Sequence, residues 1–209
     1  PVPGTNILMC TTETTVAQYQ QSGRSYQTSN FPQESNHPAV NVSWNDAVAY
    51  CKWLSKRDGH TYRLPTDNEW SAAVGGTTYP WGNNWPPPNN AENLQGQEMR
   101  QMSELDRKQH LGVLKRVNGA VDLIAGFHDR HLFTSQTGTY STNILGIQDL
   151  GGNVSEWCAD PVPNAAAARI VRGGAWDVFH RGLLASSFRH SFRGAKYGYG
   201  DVGFRIVTE

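Results

Sequence analysis

The chain has little cysteine: three residues in 209, Cys10, Cys51 and Cys158, widely separated. That excludes a disulfide framework and matches no paired-cysteine zinc spacing. Buried small hydrophobes are the expected state of Cys51 and Cys158. No apolar run reaches the roughly 18 residues that a membrane span needs. The opening Pro1-Val2-Pro3-Gly4 has neither a charged n-region nor an apolar h-region, so no signal peptide is expected. Net charge is absent too, with 18 basic against 18 acidic side chains. Nothing global therefore draws the protein to nucleic acid, and no nucleic-acid partner is expected. Ser-His-Asp order, a phosphate-binding glycine loop and paired carboxylates are also missing.

What is abundant is glycine, at 21 residues, and tryptophan, at seven. With few long apolar stretches, that composition points to short strands, many turns and packed indoles in one domain spanning 1–209. Three helix starts carry a hydroxyl and a polar partner three residues on: Thr15/Gln18, Ser43/Asp46 and Thr66/Glu69. The first helix should run through Tyr19 and stop at Gly23. The second should present Ala47, Tyr50, Cys51 and Leu54 on one face and end near Gly59. The third should end at Gly75-Gly76. Tyr62 to Thr66 reads as a short strand entering a cap. Ala165 to Ala168 reads as a loop or turn before a strand that begins at Arg169.

Residues 97–139 read as an insertion. Leu111, Leu114, Val117, Val121 and Ile124 fall at helical spacing, although Gly112 and Gly119 would each weaken a free helix by roughly 1 kcal/mol. An apolar edge lying on the core is the simpler expectation, and a partner-binding flap the other. His128 and His131 are spaced H-x-x-H inside it, beside Asp129 and Arg130, where a solvated loop is expected rather than a metal site.

Four separated stretches occur in a fixed order. They are HPAVNVSWNDAVAYCKWL, YRLPTDNEW with YPWGN, NILGIQDLGGNVSEWC, and VRGGAW with a closing VGFR. Together they resemble the formylglycine-generating-enzyme (sulfatase-modifying factor) branch of the C-type lectin fold. The resemblance implies an α+β domain with a small twisted antiparallel sheet, few helices and much irregular loop. It also implies oxidation of a substrate cysteine with copper and oxygen, through two thiols between the GG[SA]W-like and GFR motifs. Here no cysteine follows Cys158. Counting from Gly173-Gly174 puts Val178 and Leu183 at the thiol positions, and counting from Arg189 shifts them by about two residues. Neither choice yields a thiol, so no formylglycine synthesis is expected.

Calcium is the cofactor the resemblance implies. Asn153 and Glu156 with nearby carbonyls would hold one ion, and Asn93-Leu94 match half of a second site. Oxygen donors of this kind suit a hard cation; the alternative is that Asn153 and Glu156 only tie the turn.

The window Asp177–Val202 carries the binding reading. It holds Phe179, Phe188, Phe192, Tyr197 and Tyr199 among His180, Arg181, Arg189, His190, Arg193 and Lys196, without a clean helical or strand period. Rings and guanidinium groups on a braced loop are what binding hot spots use. Asp177, Val178, Phe179, His180, Arg181, His190, Phe192, Arg193, Tyr197 and Tyr199 are the candidate contacts. Phe188-Arg189 and Phe204-Arg205 match family framework positions. Every residue of the window except Lys196 can be encoded by a codon ending in a pyrimidine, and Glu, Gln, Met and Trp are absent from it. In scaffold, position and palette the chain is similar to the variable proteins of diversity-generating retroelements.

The expected function is therefore a non-catalytic binder of a protein or glycan ligand, with an acidic or glycan-like ligand suiting the basic window. A virion or a cell surface is compatible with it. Two alternatives remain open: a non-thiol enzyme using His180 or His190, and an adaptor module of fixed specificity.

Overall fold

The computed structural model describes residues 1–102, 122–191 and 193–209. Phe192 and the helix-spaced Leu111, Leu114, Val117 and Val121 lie outside the described residues. In chain order the elements are β1 (Leu8–Met9), α1 (Val16–Gln20), α2 (Trp44–Asp58), β2 (Tyr62–Arg63), α3 (Asp67–Val74), a 3₁₀ turn at Gln97–Gln101, β3 (Ser155–Val162), β4 (Ala165–Arg172), β5 (Val202–Gly203) and β6 (Val207–Thr208).

The helices start where their caps predict. Thr15 and Gln18 close a reciprocal box at α1, and Thr66 and Glu69 do so at α3. At α2 Ser43 Oγ accepts from the Asp46 amide, but the aspartate accepts the serine hydroxyl rather than reaching back to the cap amide. A carboxylate one methylene shorter than glutamate accounts for the difference. Each hydroxyl cap is worth about 1 kcal/mol. Gly59 and Gly75 end α2 and α3 in the left-handed region, at φ 76° and 85°.

Two three-stranded sheets follow, ordered β1-β6-β2 and β4-β3-β5. The first is antiparallel. The second is mixed, because β5 runs parallel to β3 with Ser155 opposite Val202 and Glu156 opposite Gly203. Residues 165–168 belong to β4 and are not the expected loop, since pairing with β3 extends the hairpin to Val162–Ala165. Strand pairing here overrides the weak strand preference of alanine.

The main core gathers Tyr19, Tyr50, Leu54, Trp157, Val171 and Phe204, all buried. The α2 face expected to be apolar is the one buried, with Ala47, Tyr50, Cys51 and Leu54. Cys158 is buried in a neighbouring cluster around Trp70 and Leu150. Ile124 and Phe127, at the described end of the insertion, pack inward with Tyr79, Leu94 and Leu184. No helix among the described residues is long and apolar enough to cross a membrane.

Candidate functional site

The window is pinned by a glycine near each end. A Cβ on Gly174 would overlap the Gly151 carbonyl and Leu184, so only glycine lets the window leave the core at this point. At the far end a Cβ on Gly198 would strike the Asn41 backbone, and the Asn41 amide bonds the Tyr199 carbonyl at 2.9 Å. Between these pins, bridges Val171–His190 and Ala168–Gly194 lay part of the window along the outer edge of β4.

Beneath the window lies a buried polar network. Glu156 accepts from Arg205 Nε and Nη2, at 2.8 and 2.6 Å to its Oε1, and from Trp70 Nε1 at 2.8 Å. Both charged side chains are out of solvent. Burial opposes the Arg205 charge, but Glu156, with Glu13 and Asp149, more than offsets it and raises the guanidinium pKa. Arg205 also donates to the carbonyls of Cys10, Thr11 and Gln148. Arg172 stacks over Trp70 at 4.4 Å and pairs with Asp67, which also takes Arg189 at 2.7 Å. Thus Arg189 and Arg205 both act as framework, as their motif positions imply.

The calcium candidates fall inside this network. Asn153 Oδ1 accepts from the Ser135 amide at 2.9 Å and from Asn93 Nδ2 at 3.2 Å, which brings Asn153 and Asn93 together. Glu156 is bonded instead to Arg205 and Trp70. Protein donors therefore already occupy the oxygens of Asn153 and Glu156, while Asn93 Oδ1 is buried without a hydrogen-bond partner among the described residues. No group of three or more His, Cys, Asp or Glu side chains among the described residues is arranged for a metal. His131 Nδ1 instead meets the Tyr140 hydroxyl at 2.7 Å, and His128 Nδ1 lies 3.3 Å from Glu98.

Several carboxyls around the network have raised pKa values. Burial, then Asp149, pushes Glu13 up; burial, again with Asp149 second, does the same to Glu92. Asp149 itself is raised mainly by burial, and Asp129 is pushed by burial to about 7.

At the thiol positions the chemistry is apolar. Val178 is partly buried against the cluster of Leu94, Phe127 and Leu184, and its carbonyl accepts from the Gln95 amide at 3.1 Å. Leu183 is exposed, at 36%. The three cysteines are unpaired, and burial raises the pKa of each, pushing Cys51 to about 12. A thiol so held is mostly protonated and a poor nucleophile.

The candidate contacts divide into three groups. His180, Arg181 and Tyr197 face solvent. Val178, Phe179, His190 and Tyr199 are partly buried and committed to the fold. Phe179 packs on the Leu94 cluster. His190 Nε2 lies 3.1 Å from the Gly173 carbonyl, and burial lowers its pKa. Tyr199 accepts the Gly194 amide on its hydroxyl and lies under Arg193 at 4.5 Å.

Asp177 and Arg193 form the third group and line an open groove of about 530 Å³. One wall is formed by Trp176, just before the window, with Asp177, Arg193, Gly200 and Asp201 of the window. The other is Gln27, Thr28, Asn30, Phe31 and Asn41. Arg193 is ion-paired with Asp201, and Trp176 Nε1 donates to the Gly200 carbonyl at 3.2 Å. Burial, then the neighbouring Asp201 carboxylate, pushes Asp177 up to about 7. Sequence reasoning missed the second wall entirely. Its one local signal is the polar run Thr28-Ser29-Asn30 before Phe31, which reads as any loop.

The profile of the sulfatase-modifying factor enzyme 1-like domain matches residues 6–209. A formylglycine-generating enzyme of Streptomyces coelicolor is 32% identical over 200 residues, covering 83% of this chain and 53% of its own length. An inactive C-alpha-formylglycine-generating enzyme 2 of Mus musculus is 35% identical over 144 residues, covering 66% of this chain and 37% of its own. The chain thus spans about half or less of the length of these relatives. Among solved structures, Treponema denticola variable protein 1 superposes with a TM-score of 0.73 at 19% identity, covering 97% of this chain and 84% of its own. That last likeness concerns the fold, while the profile match across nearly the whole chain fixes the kinship: this chain belongs to the sulfatase-modifying factor enzyme 1-like family, on a C-type lectin scaffold.

Proposed function

We propose that this chain is a non-catalytic member of its family that binds a ligand through the window 177–202, and that a retroelement diversified that window. One observation carries the reading. Where the resemblance puts the thiols, the chain has Val178 in an apolar cluster and Leu183, and no cysteine lies anywhere in the window. Oxidation of a substrate cysteine by a thiol pair has no donors there. The window still presents His180, Arg181 and Tyr197 outward and forms one wall of a groove. The glycine pins and the Glu156–Arg205 pair lie outside those positions, so outward side chains can change while the scaffold stays. A relative whose name states that it is inactive supports this reading. The fold likeness to a variable protein shows that this scaffold carries such proteins.

Calcium is assigned no part in binding, because donors within the protein already hold Asn153 and Glu156. The melting temperature should then be the same in calcium and in chelator; a rise with calcium would restore the ion, with Asn93 Oδ1 as its free donor.

The direct test of inactivity supplies the protein with copper, oxygen and a cysteine-containing peptide and follows peptide mass. No aldehyde product is expected. Turnover to formylglycine would overturn the non-catalytic reading.

A further inference from the structure

We propose that the groove between residues 27–31 and the window receives one cationic side chain, a lysine ammonium or an arginine guanidinium, presented by a partner polypeptide. This deepens, and rests on, the reading of the window as a binding surface.

The inference starts from charge. Two carboxylates, Asp177 and Asp201, and one guanidinium, Arg193, line the groove. Arg193 is already committed, to Asp201 by an ion pair and to the Tyr199 ring by stacking at 4.5 Å. Asp177 feels that guanidinium only at a distance: it makes no ion pair of its own among the described residues, and its buried Oδ1 has no hydrogen-bond partner there. The opposite wall offers Gln27, Thr28, Asn30 and Asn41, whose side chains are all neutral.

Ligand classes separate on this lining. An anion would face two carboxylates across a wall that supplies no free cation. A neutral polyol would leave the Asp177 charge uncompensated. An ammonium or guanidinium supplies the missing charge and brings several donors for the amide and hydroxyl oxygens around it. The lining also includes Phe31 on the opposite wall and Trp176 next to Asp177 in the chain, both buried and in T-shaped contact at 5.1 Å. These rings lower the local dielectric, so a charge pair formed here is stronger than one on the open surface.

The window's overall basic composition suggests an acidic ligand, but its basic side chains are placed elsewhere. Arg181 and Lys196 are exposed away from the groove lining, and Arg189 is tied to Asp67. The groove has the opposite sign to the window as a whole. Among the described residues Asp201 and Arg193 are the charged groups that act on Asp177, and residues 27–31 and Asn41 add none. Cation binding should therefore weaken as pH falls below about 7 and Asp177 takes up a proton.

The test titrates the full chain with Nα-acetyl-lysine methylamide and Nα-acetyl-arginine methylamide, with the glutamine and glutamate analogues as neutral and anionic controls. The Trp176 indole N–H resonance is the readout, since it lies in the groove wall. The expected result is a saturable shift with at least one cationic probe and none with either control. Asp177→Asn should weaken binding at least tenfold, and Arg193→Gln, which frees Asp201, should strengthen it. An equal response to the neutral probe, no saturable response to either cation, or a cation affinity that Arg193→Gln reduces would overturn the proposal. The outcome is separable from the window reading. If the probes fail while the gene shows a diversified window, only the cation groove falls. If they bind while no diversification exists, the groove is a cation receptor of fixed specificity.

Discussion

Arg172 and Arg205 stand in the motifs that bracket the window and are wholly buried, whereas Arg181, Arg189 and Arg193 within it reach solvent or the groove. The same side chain does opposite work in the two regions. In the framework each guanidinium is surrounded by fixed acceptors, so its loss strands buried partners. In the window Arg181 has no such debt to the fold. In the proposed function such a scaffold separates stability from specificity, because the residues that hold the domain together are not the outward ones assigned to the ligand. Arg189 and Arg193 are intermediate, each anchored by one aspartate while still partly exposed.

The largest blow to this contrast should come from Arg205→Ala. It leaves Glu156 charged and dry, at a cost of about 3–5 kcal/mol, measurable by chemical denaturation or by failure to accumulate folded protein. Gly174→Ala comes next, because its methyl group meets the Gly151 carbonyl and Leu184. Overpacking of this kind costs about 1–3 kcal/mol, and a loss well under 1 kcal/mol in the same denaturation assay would mean the pin yields easily.

A pH series sharpens the comparison from the electrostatic side. Glu13, Glu92, Asp129, Asp149 and Asp177 all have folded-state pKa values raised by burial. Between the ordinary carboxyl value near 4 and the folded values, the folded state holds protons that the unfolded state has released. Stability should therefore fall as pH rises from about 5 to about 7, read as a lower denaturation midpoint. The opposite pull of Glu69, lowered to about 2 by Arg63, is lost only at more acidic pH. Asp177→Asn should flatten part of the slope. The smallest effects belong to the outward positions. His180→Ala, Arg181→Ala and Tyr197→Ala should each shift stability by no more than about 0.5 kcal/mol, while altering binding to any partner that docks on the window.

The helices were legible in the sequence because their signals are local. Thr15, Ser43 and Thr66 announce starts, and Gly59 and Gly75 announce stops, within a few residues of where they act. The extension of β4 through Ala165–Ala168 was not legible, since it depends on pairing with β3 and not on alanine itself. The framework role of Arg205 could be read from its motif, whereas Glu156 reads equally as a calcium ligand or as a tie of its turn, and only the fold shows that it meets Arg205 across 49 positions. The window was identifiable by its lack of period and its palette. Its division into outward, committed and groove-lining residues was not, because an irregular loop has no repeat from which facing can be deduced. The wall formed by residues 27–31 and Asn41 was invisible for the same reason: only the fold, with Gly198 closing against Asn41, sets it opposite Asp177.

The most direct measurement is the sequence of the gene and its flanks, read codon by codon from Asp177 to Val202. The account predicts a nearby reverse transcriptase and an adenine-rich near-copy of the window, differing from it mainly where the copy has adenine. A window with purine-ending codons throughout and no near-copy in the flanks would contradict diversification and leave a binding module of fixed specificity.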